Sequence, residues 1–177
     1  MLPKLTLVLG GAASGKTAWA EAFVLGSGHA PVYLATAQAW DAEMQAKIAR
    51  HRSIRGTGWQ TVEAPLDLGP ALAEVGAAQA VLLDCATLWL SNHLLEGHDL
   101  AAESQGLLRA LAQCAAPVVV VSNEVGQGIV PDNALARQFR QAQGELNQCI
   151  AAEAGLVVAV MAGLPMVLKG QLPEGVQ

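Results

Sequence analysis

Eight residues near the start of the chain carry the first recognisable chemistry. Gly10, Gly11, Ala12, Ala13, Ser14, Gly15, Lys16 and Thr17 fit the spacing G-x-x-x-x-G-K-[ST]. Small residues let successive backbone N–H groups turn inward around a phosphate, and a helix start behind them adds the positive end of a dipole. Lys16 then reaches the β- and γ-phosphates, and the Thr17 hydroxyl is a ligand for Mg2+. The pattern has this meaning only between a strand and a helix. Both are expected here, since Leu5 to Leu9 is an apolar run and Thr17 to Leu25 holds no helix breaker. A turn made only for tight packing would share the glycines but has no need of the Lys-Thr pair. The chain is therefore expected to bind a nucleoside triphosphate.

Three other groups could act on such a ligand. Asp84 closes the apolar run Ala80 to Cys85. P-loop proteins place the acid that holds Mg2+ at such a strand end, although an acid there can also cap the next helix. His51 ends a helix-forming stretch whose last turn carries Lys47, Arg50 and Arg52, with Arg55 just beyond. A solvated basic helix end accounts for that charge. A nucleophile is the other reading: a neutral imidazole can attack phosphorus while neighbouring arginines offset the phosphate oxygens. Asn123 and Glu124 follow a run of four valines, with Gly126 and Gly128 after them. The glycines serve a turn; the Asn-Glu pair stands where substrate contacts concentrate. Arg137, Arg140 and Asn147 share one helix face, read as solvated. His29, His93 and His98 lack comparable company and read as structural or surface residues.

These groups need elements to hold them. Strands are expected at Val32 to Thr36, Trp59 to Glu63, Pro117 to Ser122 and Leu156 to Met161, besides those preceding the P-loop and Asp84. Helices are expected over Ala37 to Arg52, Leu66 to Gly76, Thr87 to Leu95, Ala101 to Ala115, and Asn133 to Ala152 behind an Asp132 cap. Gly163-Leu164-Pro165 opens a short tail. Strands and helices alternate, and the polar groups fall at strand C-termini. That pattern describes an α/β, three-layer P-loop NTPase-type fold, its mostly parallel sheet covered by helices on both faces. No repeat or linker divides residues 1–177, so a single nucleotide-binding domain is expected.

Composition narrows the partners. Hydrophobic residues are 53% and charged residues 14%, which favours a sheet covered on more than one face. A net charge of −5 without a basic stripe argues against nucleic acid. The apolar runs fall short of the ~20 residues that span a bilayer, so no membrane span is expected. No signal-peptide pattern opens the chain. Cys85, Cys114 and Cys149 are widely spaced without C-x-x-C, and read as buried thiols in a reducing cytosol.

Over nearly its whole length the chain resembles the bifunctional adenosylcobinamide kinase / adenosylcobinamide-phosphate guanylyltransferases of cobalamin biosynthesis. The resemblance rests on GGAASGKT, on YLATAQAWDAEMQAKIARHRSIRG (Tyr33 to Gly56), on W-x-T-x-E (Trp59 to Glu63) and on LLDCATLWLSN (Leu82 to Asn92). It continues through SNEVGQGIVPDNALARQFRQAQGELNQ (Ser122 to Gln148) and GLPMVLK (Gly163 to Lys169). Ala13 stands where the family usually has Arg, Gln141 where it has Asp, and Ala154-Gly155 where Ala-Asp is typical.

The resemblance implies two reactions: ATP or GTP phosphorylates the aminopropanol hydroxyl of adenosylcobinamide, then GTP gives GMP to adenosylcobinamide phosphate. It implies a guanylylated histidine at His51, and nucleotide contacts at the P-loop, Ala35, Thr36, Ala37, Arg52, Ser53, Ile54, Arg55, Glu63 and Asp84. A cytoplasmic homo-oligomer, usually a trimer, is implied too. A kinase without guanylyl transfer, or a nucleotide-binding switch without turnover, are the competing classes.

Overall fold

The computed structural model describes residues 1–38 and 58–173. Its elements are β1 (Leu5–Gly10), α1 (Lys16–Leu25), β2 (Ala30–Ala35), β3 (Gln60–Glu63), α2 (Gly69–Ala73) and β4 (Gln79–Asp84). Then come α3 (Ala86–Leu95), α4 (Leu100–Gln113), β5 (Val118–Asn123), α5 (Ala134–Glu153), β6 (Leu156–Met161) and β7 (Leu164–Lys169). The expected helix over residues 37–52 lies outside the described residues.

All seven strands join one sheet in the order β3-β2-β4-β5-β1-β6-β7, parallel throughout except for β7. Alternating side chains divide the core in two, as the period of a strand requires. Leu7, Leu34, Leu83, Val118, Val120 and Val157 face α2 to α5, where Leu72, Trp89, Leu90, Leu107, Leu146 and Ile150 meet them. Val8, Leu82, Val119, Val121 and Val158 face the other way, onto Ala20, Phe23 and Val24 of α1. Helices thus cover both faces, and the continuously apolar strands are those buried on both sides.

Four expectations are corrected. The chain does not end in a tail after β6: Ala162 (φ 53) and Gly163 (φ 78) turn it back into antiparallel β7. Positive φ at both central residues is the hairpin geometry that matches strand twist. Pro165 obscured the strand in the sequence, but β7 is an edge strand, where a missing N–H is tolerated. The helix expected over Leu66 to Gly76 is only Gly69–Ala73. Leu66 is held out of it because its carbonyl accepts from Trp89 Nε1 at 2.7 Å. Asn133, not Asp132, caps α5, its side chain accepting from Ala136 N at 2.7 Å. Finally, Cys149 is exposed, whereas Cys85 and Cys114 are buried.

Candidate functional site

Because β1 to β5 run parallel, Gly10, Ala35, Glu63, Asp84 and Asn123 all end at one edge of the sheet. The P-loop leaves β1 between β5 and β6, beside the point where strand order reverses and α/β folds open a crevice. Gly10 and Gly15, though not Gly11, are required by contacts. A Cβ on Gly10 would stand 2.3 Å from Ser14 Oγ and 2.7 Å from the Val160 carbonyl. Gly15 has φ 92, and a Cβ there would meet Gly163 Cα at 3.0 Å. Ala13 also adopts a left-handed conformation, φ 54. The β6–β7 turn braces the loop from behind: Gly163 N–H donates to the Ser14 carbonyl at 2.8 Å. Gly15 caps α1 without a side chain, and the first turn of α1 holds no acid to offset the dipole. Lys16 Nζ donates to the Gly11 carbonyl at 3.0 Å, so its ammonium lies over the loop. Gly11, Ala12 and Ala13 are exposed, while Thr17 is half-buried in the first turn of α1.

The second wall is the end of β4. Tyr33 hydroxyl donates to Asp84 Oδ2 at 2.7 Å, fixing that carboxylate at the strand tip. Next to it, Cys85 N–H donates to Thr36 Oγ1 and the Thr36 hydroxyl donates to the Cys85 carbonyl, both at 2.8 Å. Thr36 is fully buried, and its carbonyl accepts from Asn92 Nδ2 at 2.9 Å. Its polar groups serve the protein, and the Ala35 carbonyl before it accepts from Ala64 N at 2.9 Å. Asn92 Nδ2 also reaches the Pro65 carbonyl at 2.9 Å, so α3 clamps the ends of β2 and β3 together. Burial pushes the Cys85 thiol up from 9.0 to about 11, with the Asp84 charge adding to the shift and Lys16 opposing it. The P-loop lysine and the β4 acid therefore both act on one buried atom. Glu63 is exposed at the tip of β3, paired in register with Ala35.

The third wall is the loop after β5. Asn123 lies opposite Gly10 in register, and Glu124 N–H donates to the Gly10 carbonyl at 3.1 Å. Thr87 Oγ1 accepts from Asn123 N at 2.7 Å. The Asn123 carbonyl accepts from Asn147 Nδ2 at 3.1 Å. Asn123 Oδ1 is buried without a hydrogen-bond partner among the described residues. Glu124 Oε1 accepts from Gly126 N. Its side chain also borders a cleft of about 410 Å3 between β1, α5 and β7, where Lys169 stands.

Of the helix face read as solvated, Arg137 is exposed as expected and Arg140 half-exposed, but Asn147 is not. Asn147 is buried, accepting from Ser122 Oγ at 2.6 Å and from Gln143 Nε2 at 3.0 Å. Arg140 donates to the Gly126 carbonyl, and Arg137 donates to the Pro131 and Asp132 carbonyls. All three pin the loop after β5 onto α5. Their spacing of 3 and 7 was visible in the sequence; the loop folding back onto that face was not. Tyr33, Thr87 and Asn92 are likewise parts of the site that residue patterns did not single out. Asn92 carried a weak signal, as an amide inside the apolar helix LWLSNHLL. His93 is also not without company, since His98 Nδ1 lies 2.9 Å from its Nδ1. His51, Arg52, Ser53, Ile54 and Arg55 lie outside the described residues.

A phosphate cradle after β1, a carboxylate at the tip of a strand one removed from it and helices on both faces define a P-loop nucleotide-binding protein. Two solved structures share that fold. The RadB recombinase superposes with a TM-score of 0.50 at 19% identity, over 89% of this chain and 74% of that one. A type III secretion system ATPase superposes with a TM-score of 0.51 at 9% identity, over 94% of this chain and 57% of that one. The sequence is closer to other proteins. Residues 6–168 match the model of the cobinamide kinase / cobinamide phosphate guanyltransferase family, and the chain belongs to that family of enzymes. The bifunctional adenosylcobalamin biosynthesis protein CobP of Pseudomonas aeruginosa is 45% identical, over 93% of this chain and 97% of its own length. The protein CobU of the same description from Escherichia coli is 40% identical, over 93% and 99%.

Proposed function

We propose that residues 1–177 act as one domain that carries both activities of the family in succession. In the first, the aminopropanol hydroxyl of adenosylcobinamide attacks the γ-phosphorus of ATP or GTP, giving adenosylcobinamide phosphate and a nucleoside diphosphate. In the second, His51 attacks the α-phosphorus of GTP and releases pyrophosphate. The corrinoid phosphate then takes the GMP from His51, giving adenosylcobinamide-GDP and restoring the free imidazole. Two displacements let a bulky acceptor enter after pyrophosphate has left. The observation that carries the reading is the cradle itself: a start of α1 without a side-chain cap, Lys16 Nζ over the loop and Asp84 held by Tyr33.

The remaining groups take supporting roles. Thr17 and Asp84 would hold Mg2+, for which a hydroxyl and a carboxylate are suitable hard donors. The neighbouring Cys85 Sγ is buried and accepts from Leu88 N at 3.4 Å, so it serves the start of α3. Bound to Thr17 and Asp84, Mg2+ neutralises phosphate charge. Arg52 and Arg55, with the backbone of Ser53 and Ile54, would stabilise charge on the α-phosphate. Ala35, Ala37 and Glu63 would contact nucleoside, with Thr36 fixing the backbone between them. Asn123 Oδ1 and Glu124 face the acceptor, with Glu124 as the base for its hydroxyl. The same reading includes a cytoplasmic homotrimer. The exposed Leu164, Met166 and Leu168 of edge strand β7 support burial against another copy. Among the described residues, no helix is long and apolar enough to cross a membrane.

Incubation with α-phosphate-labelled GTP should leave an acid-labile, alkali-stable label that adenosylcobinamide phosphate discharges. A His51→Ala protein that still takes up the label would overturn the guanylyl-histidine step. Phosphorylated cobinamide accumulating without labelled protein would leave only the kinase.

A further inference from the structure

We infer that His93, His98 and Glu103 form a binding site for a divalent transition cation of the zinc type. The site clips the α3–α4 turn and is distinct from any Mg2+ at the nucleotide. The three residues follow one another at H-x4-H-x4-E: the last turn of α3, the turn after Gly97 (φ 74), and the first turn of α4. Their donor atoms all lie within 4.8 Å of one another. His93 Nδ1 is 2.9 Å from His98 Nδ1 and 3.8 Å from Glu103 Oε2.

Hydrogen bonding sets which atom of His93 faces the cluster. Its Nε2 lies 3.3 Å from the Leu66 carbonyl, which can only accept, so the proton belongs on Nε2. Nδ1 therefore presents its lone pair to His98 and Glu103. An imidazole oriented by a carbonyl on its far nitrogen is the usual arrangement of a metal-ligating histidine. The ring is also held in place, since His93 is buried and packs edge-on to Trp89 with centroids 4.6 Å apart. Two imidazole lone pairs cannot face each other at this separation unless something positive lies between them: a proton on His98, or a cation. Tetrahedral Zn2+ with bonds of about 2.0–2.1 Å sets its nitrogens roughly 3.3 Å apart, so the rings need open only slightly. His98 is exposed on a turn and free to make that adjustment. Glu103, with a side chain 41% exposed, supplies negative charge and an oxygen ligand, and water completes the set. Two imidazoles and one carboxylate suit Zn2+, Co2+ or Ni2+ and not Mg2+.

The consequence is mechanical. The clipped helix is the one whose Asn92 ties Thr36 to Pro65, and whose Trp89 shares the Leu66 carbonyl with His93. A bound cation would stiffen that brace and raise stability without entering the chemistry.

The test uses the full chain without a polyhistidine tag, stripped of metal and titrated with Co2+ near neutral pH, then with Zn2+. Expected are one equivalent of Co2+ with tetrahedral visible bands, its displacement by Zn2+ but not by Mg2+, and a higher melting temperature with Zn2+. His98→Ala, an exposed substitution, should abolish both the bands and the thermal shift. Glu103→Gln should weaken binding on the order of tenfold, and His29→Ala should change nothing. Absence of stoichiometric Co2+ binding would show a proton-bridged histidine pair only and overturn the proposal. Unchanged binding in His98→Ala would place the cation elsewhere and overturn it equally.

Discussion

Asn147→Ala tests whether α5 holds the loop after β5 or merely faces solvent. Asn147 is 6% exposed and makes three hydrogen bonds, to Ser122 at 2.6 Å, Gln143 at 3.0 Å and the Asn123 carbonyl at 3.1 Å. At about 1 kcal/mol net for each, their loss costs about 3 kcal/mol, and unpaired buried groups left behind push the figure upward. For a chain of this size that corresponds to a fall in melting temperature of roughly 6–12 °C. Denaturant unfolding should show a lower midpoint with an unchanged slope, because the unfolded surface is the same. Kinase turnover should also fall, since the Asn123 carbonyl loses the donor that sets the loop beside Gly10. Asn147→Asp keeps the acceptor for Ser122 and Gln143 but turns a carboxylate oxygen toward the Asn123 carbonyl, so it should be no better than alanine. A loss below about 0.5 kcal/mol, as at ordinary surface positions, would refute the reasoning and return Asn147 to a solvated face.

Two further outcomes follow from the wall formed by β2 and β4. Tyr33→Phe removes the donor to Asp84 Oδ2 and should lower nucleotide-dependent turnover several-fold, with a stability loss of about 1–2 kcal/mol; steady-state kinetics and thermal melts check both. Cys85 makes stability pH-dependent on the alkaline side. Its folded pKa of about 11 lies above the ordinary 9.0, so its contribution is complete below pH 9 and is lost as pH rises through 11. The loss is roughly 3 kcal/mol between those limits, and Cys85→Ala should flatten that part of the unfolding-against-pH curve. A thiol reagent at mildly alkaline pH should modify Cys149 first and leave Cys85 untouched until the protein unfolds.

The sequence alone determined the local parts of this protein. Gly10 to Thr17 could be read as a phosphate cradle because its chemistry depends on neighbours in the chain and on the strand and helix that flank it. The apolar runs behind Asp84 and Asn123 likewise announced buried parallel strands, and with them the edge where ligands bind. Family membership was legible for a related reason, since its marks are contiguous motifs. Tertiary structure decided what rests on pairs distant in the chain. The brace behind the P-loop joins Ser14 to Gly163, and the clamp at β2 joins Thr36 to Cys85 and Asn92. Neither leaves a periodic trace, because a hydrogen bond between residues so far apart in the chain imposes no spacing on the sequence between. Asn147 and Arg140 show the same limit from the other side. Helical periodicity put them on one face, but only the return of the loop after β5 made that face part of the site. His93 and His98 are close in sequence yet read as unrelated. A turn at Gly97 brings their Nδ1 atoms within 2.9 Å of each other.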